Sequence, residues 1–145
     1  LFFRVSSVDH VEGGWQIEDT IALAVVLHGL GVDAIDCSSG GVAGMVTAAR
    51  VKRDQGFQVA YAEAVKRETP LASMAVGLIL DPGHANAIVA EGRADLVALG
   101  RELLRNPFWP LQAAEALDFD PDYGQWPDPY GWWLDRRTKS GFNPL

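Results

Sequence analysis

Residues 94–109 read ADLVALGRELLRNPFW. The run Leu96–Val97–Ala98–Leu99 has the length and uniform apolarity of a strand covered on both faces. It stops on Gly100, which lets the backbone turn sharply or approach another group closely. From Arg101 to Arg105 the placing of Leu103 and Leu104 suits one short helical turn. Asn106–Pro107 then reads as the N-cap and first residue of a further helix. A short helix opening directly off a strand end aims unpaired N–H groups at whatever lies there, and these favour an anion. An arginine at its first position, Arg101, strengthens that preference.

Working outward, the same alternation repeats. LFFRVSS is followed by a polar, glycine-rich loop from Asp9 to Gly14 and a helix over about Ile17–Leu30 that stops at Gly31, a residue suited to a left-handed C-cap. A second strand, Val32–Asp36, is broken by Cys37-Ser38-Ser39-Gly40-Gly41. A long loop leads past Gly56 to the helix FQVAYAEAVKRET, closed off before Pro70. SMAVGLI, Asp81–Pro82–Gly83 and HANAIVAEG form the third unit, and the quoted stretch forms the fourth. Strand–helix units of this kind predict a parallel sheet.

The polar and glycine interruptions (Arg4 to Ser7, Cys37 to Gly41, Gly77, Gly100–Arg101) cluster at the C-terminal ends of the strands. In parallel α/β architectures that edge carries the ligand. A doubly wound nucleotide-binding sheet should show G-x-G-x-x-G after its first strand, and the sequence has none. A (β/α)8 barrel instead holds phosphate with the loops after its last two strands and a short extra helix, which is the pattern here. The expected fold class is therefore α/β, the C-terminal half of a (β/α)8 TIM barrel with four βα units. Since a complete barrel takes about 250 residues, and the chain starts abruptly on a strand at Leu1, it reads as a piece of something larger. Four of the eight prolines and three of the five tryptophans fall after Leu117. That composition predicts an extended C-terminal tail docked on a surface, and a division into 1–117 and 118–145.

The totals narrow the function. Twelve basic against nineteen acidic residues give a net charge of −7, which argues against nucleic acid and anionic membrane surfaces as partners. No apolar run approaches membrane-spanning length. A single cysteine, Cys37, excludes an internal disulfide framework, fits a cytoplasmic location, and reads as a small buried residue. His10, His28 and His84 lack metal-ligand spacing, and His28 should face outward from its helix. Arg50, Lys52 and Arg53 form a small basic cluster in the long loop.

FRVSS, GVDAIDCSSGG, AVGLI and GRADLVALGRELLRNPFW, in this order and spacing, closely resemble the last four βα units of the old yellow enzyme family, in its bacterial ene-reductase branch. The resemblance covers residues 1 to about 112. It implies FMN across the barrel mouth, NADPH or NADH as reductant, and hydride passed through flavin N5 to the β-carbon of an activated, enone-type alkene. Residue by residue it implies Arg4 beside flavin N1 and O2, where a fixed guanidinium stabilises the negative charge of the reduced ring. It implies Gly77 where the phosphate or ribityl chain comes close, and Gly100 with Arg101 on the FMN phosphate. Ser38 and Ser39 either bond the flavin or cap their turn. The family's cysteine or threonine beside the flavin, its histidine pair and its tyrosine proton donor belong to the first four units, so no residue here takes those roles. The expected partners are the missing N-terminal half-barrel and, in the complete enzyme, further copies in a homo-oligomer. Members of this branch reach into a neighbouring subunit with an arginine that follows a tyrosine; here Trp132 stands in that place, with Arg136 and Arg137 further on. A reading of another class stays open beside this one: a non-catalytic half-barrel that binds phosphate or pairs with another half.

Overall fold

The computed structural model describes residues 1–40 and 51–141. Arg50 of the basic cluster, and Gly41, lie outside the described residues. The chain divides into two compact units, Leu1–Leu99 and Gly100–Leu145, so the expected boundary at 117/118 falls inside the second.

The first unit carries a parallel sheet of β1 (Phe2–Ser6), β2 (Ala34–Ser38), β3 (Ala72–Val76) and β4 (Leu96–Ala98), hydrogen-bonded in chain order. Sequential order without reversal is the strand arrangement of a (β/α)8 barrel, whereas a doubly wound sheet turns back on itself. Between the strands lie α1 (Ile17–Gly29), α2 (Val59–Glu68) and α3 (Pro82–Ala90). Right-handed crossovers in sequential order deliver the helices to one face. There Ile35, Cys37 and Ala75 of the sheet close a core with Ala24 and Leu27 of α1, Val59, Ala62 and Val65 of α2, and Ile88 of α3.

The helix boundaries have local causes. Gly31, at φ +86°, follows α1 in the left-handed conformation expected of it. Asp81 caps α3 by accepting a 2.7 Å hydrogen bond from the His84 amide, with Pro82 opening the helix. His28 is exposed on α1, as its spacing predicted. The second strand starts and ends two residues later than Val32–Asp36. The polar run Cys37–Ser38 is taken into the sheet because Cys37 is fully buried against the helices and the Ser38 hydroxyl donates to the Val5 carbonyl at 2.9 Å.

Among the described residues of this unit, no helix packs on the opposite face of the sheet. Cross-strand neighbours share a face, so the register places Phe2, Arg4 and Ser6 together with Ala34, Asp36 and Ser38, then Ala72, Met74 and Val76, then Leu96 and Ala98. Phe2 and Leu96 are exposed there.

Asp95, at the entry to β4, ties this unit together. Its carboxylate accepts from the Lys66 ammonium of α2 at 2.6 Å and from the Ser73 amide of β3 at 2.9 Å. Burial pulls its pKa up, but these two donors outweigh that and hold it below the ordinary aspartate value. A lowered folded-state pKa contributes stability that is present above the unfolded value and disappears as pH falls through the folded one. Asp95→Asn should therefore flatten the acid limb of the stability curve below about pH 4. It should also cost about 1 kcal/mol at neutral pH, the scale of a hydrogen-bonded partner lost. Urea midpoints measured between pH 3 and 7 check both.

The second unit holds α4 (Arg101–Arg105), α5 (Trp109–Ala116) and α6 (Asp128–Lys139). The helix expected to start at Asn106–Pro107 is capped by Phe108 instead, with Pro110 in its first turn, and the Asn106 side-chain amide donates to Gln112 Oε1 at 2.8 Å. The tail is not extended. Pro127 is the N-cap of α6 and Pro129 lies in its first turn, positions where proline costs nothing. Basic residues at the far end then complement the helix dipole. Gly131 of α6 is buried against Tyr123, whose carbonyl oxygen would lie 2.6 Å from a β-carbon at that position. Trp126 stacks on Phe108 at 5.4 Å between ring centroids, whereas Trp132 and Trp133 are largely exposed and do not anchor the tail.

Candidate functional site

Arg4 is the most informative side chain. An arginine within an apolar strand predicts a buried, satisfied charge; the structure instead places it on the open face with its side chain 61% exposed. Its Nη1 donates to Asp36 Oδ2 at 2.9 Å, across the register pair Arg4–Asp36. Asp36 is buried, and its other oxygen, Oδ1, has no hydrogen-bond partner among the described residues. Burial raises the Asp36 carboxyl above the ordinary aspartate value, and Arg4 pulls it back part of the way. One N–H of the guanidinium is used on Asp36, and the side chain as a whole remains largely exposed.

Ser38 lies on the same face at the end of β2. Its hydroxyl is spent on the Val5 carbonyl, which leaves the oxygen as an acceptor. Ser39 is engaged differently: the Gln58 side-chain amide donates to its hydroxyl at 2.8 Å and to its carbonyl at 3.2 Å. Gly77, one residue past β3, adopts φ +118°, a conformation that side chains rarely adopt. A β-carbon there would lie 3.0 Å from Gln58 Oε1 and 3.1 Å from Phe57 Cε1. Its carbonyl accepts from the Gly56 amide at 2.9 Å. The segment 56–58 thus bridges the ends of β2 and β3, and the room that Gly77 leaves is used first by the protein's own chain.

Arg4, Ser38 and Gly77 therefore belong to one sheet, on its open face or at its C-terminal edge. Gly100 and Arg101 open the second unit, two residues beyond the last residue of β4. The short helix spans Arg101–Arg105 as its spacing predicted, with Gly100 as N-cap and Arg101 exposed. Asp36 and Gln58 were not singled out from the sequence. An acidic residue inside the apolar run GVDAIDC carried the same signal as Arg4, a charge too costly to bury unpaired. Gln58 gave none, because its partner is 19 positions away.

Cys37 faces the helices and is fully buried. Burial pushes its thiol up to about 12, with a hydrogen bond to Ser7 working against this and Asp36 adding to it. The thiolate is the reactive form, so the folded protein should not react with a disulfide reagent at pH 8, while the urea-unfolded chain should titrate one thiol. Labelling of the folded protein would place Cys37 elsewhere. In the second unit, the Arg136 guanidinium lies 4.6 Å over the Trp132 ring.

Arg4 and the Ser38 hydroxyl lie on one face of the sheet, whereas Arg101 belongs to the second unit. Comparison with known proteins gives the family. Residues 1–120 match the model of the NADH:flavin oxidoreductase / NADH oxidase family. The chain is 45% identical over 117 residues to an NADPH dehydrogenase of Halalkalibacterium halodurans, covering 81% of this chain and 33% of the relative. It is 42% identical over 118 residues to the NADPH dehydrogenase of Bacillus subtilis, covering 81% of this chain and 34% of that protein. Among solved structures, wild-type GGGPS from Thermoplasma volcanium superposes with a TM-score of 0.40 at 20% identity, over 59% of this chain and 30% of its own. The chain thus spans about a third of the length of the curated relatives it matches, and it belongs to the NADH:flavin oxidoreductase, or old yellow enzyme, family.

Proposed function

We propose that these residues form the C-terminal half-barrel of an FMN-dependent NAD(P)H oxidoreductase that reduces activated C=C bonds, and that they supply the phosphate and N1 side of its flavin site. The observation that carries the reading is the Arg4 guanidinium, standing out from the open face of an all-parallel sheet in a chain of this family. When bound, FMN supplies two-electron chemistry, taking hydride from NAD(P)H and giving it to the β-carbon of an enone-type substrate. Arg4 holds positive charge where the reduced ring carries negative charge. Gly77 and Ser38 line the approach, and Gly100 with Arg101 hold the phosphate. Substrate holding and proton donation fall to the N-terminal half-barrel, whose strands would cover the open face. The complete protein works in the cytoplasm as a homo-oligomer.

The test uses the complete protein that carries this segment. It should purify with, or take up, FMN, and should oxidise NADPH or NADH in the presence of cyclohexenone. The 145-residue chain by itself, given FMN and NAD(P)H, should not. A complete protein that stays colourless in excess FMN would overturn the reading and favour a non-catalytic half-barrel.

A further inference from the structure

Arg4 is long and exposed, and ordering such a side chain costs rotamer entropy. The group it pairs with is its opposite. Asp36 is nine-tenths buried in the middle of β2, next to fully buried Ile35 and Cys37. Arg4 and Asp36 are register partners on adjacent strands, and the ion pair spans the sheet at 2.9 Å. Asp36 Oδ1 is buried and unpartnered among the described residues, so the carboxylate is held by one contact and spends its charge on one guanidinium.

We propose that Asp36 is a positioning residue for the flavin site, fixing the Arg4 guanidinium on the open face and offsetting part of its charge there. The proposal rests on the flavin reading of Arg4. A pair that merely clamps β1 to β2 would affect stability alone. A pair that sets the charge beside the ring also affects the relative affinity for reduced and oxidised FMN. In the pair, the net charge delivered to the ring is smaller than that of a lone arginine. Removing the aspartate charge while keeping its hydrogen-bond acceptor should therefore favour the anionic reduced ring.

The experiment measures the two-electron reduction potential of the FMN-loaded complete protein and of four variants: Arg4→Met, Asp36→Asn, Asp36→Glu and the Arg4→Met/Asp36→Asn double. Arg4→Met should lower the affinity ratio of reduced to oxidised FMN. Asp36→Asn should raise it about tenfold, or about 30 mV for a two-electron couple. Asp36→Glu keeps the charge and should stay near the parent. The double variant should differ from Arg4→Met by less than Asp36→Asn differs from the parent, because the part of the effect carried by the arginine's position is gone; strictly additive shifts would overturn the positioning role. An unchanged potential in Asp36→Asn, with a lowered one in Arg4→Met, would overturn the positioning role and leave the flavin reading intact. An unchanged potential in Arg4→Met would overturn that reading and this proposal with it. Where Asp36→Asn fails to retain FMN, a second readout needs no cofactor: 15N signals of the Arg4 guanidinium, assigned with Arg4→Lys. They should be resolved in the parent apoprotein and averaged in Asp36→Ala, and identical signals in both would overturn the proposal.

Discussion

Gly77→Ala is expected to lower the unfolding free energy by about 2–4 kcal/mol, the sum of backbone strain and overpacking. The strain comes from φ +118°, which alanine rarely adopts. The overpacking comes from Phe57 and Gln58, whose atoms would lie 3.0–3.2 Å from the new β-carbon. Gln58 has little freedom to withdraw, since its side-chain amide is committed to Ser39. Gly92→Ala is the control. Its φ of +72° imposes strain, but nothing lies within 4 Å of an added β-carbon, so it should cost only about 1 kcal/mol. Equal losses in urea unfolding would show that the neighbours of Gly77 yield freely, and that the bridge from β3 to β2 is loose.

Arg101→Ala should weaken FMN binding to the complete protein by about 1.5–3 kcal/mol, the scale of a hydrogen bond to a charged group. The residue is exposed at the first position of α4, so its loss leaves no buried cavity, and thermal stability should change little. Riboflavin, which lacks the phosphate, provides the discriminating comparison. Its affinity should be nearly the same in parent and variant when both flavins are titrated by fluorescence quenching. Equal losses for FMN and riboflavin would remove Arg101 from the phosphate.

Local signals in the sequence carried the short helix to its residue boundaries, because Gly100 and Asn106 bracket five residues of clear helical character. The strand order followed from repetition of the βα unit. What was not legible depended on partners far along the chain. The second strand was misplaced by two residues because Cys37 and Ser38 look like loop until the Val5 carbonyl and the helices are present to receive them. The tail was read as extended from its proline content, although Pro127 and Pro129 sit where helices begin. The partner of Arg4 was not legible either: it is an aspartate 32 positions away, and the arginine side chain stays largely in the open.

The two faces of the sheet divide labour by the parity of residue number. Along β2, Ile35 and Cys37 point into the core, while Asp36 and Ser38 point to the face that carries Arg4. Neighbouring codons therefore answer to different selective pressures. A change at 35 or 37 alters the packed core, and a change at 36 or 38 alters the face that carries Arg4. In such a strand, the chemistry of one face can drift by single substitutions at even positions while the stability supplied by odd ones is kept. A library randomised at 4, 36 and 38 should accordingly hold a larger folded fraction than one of equal size at 35, 37 and 75.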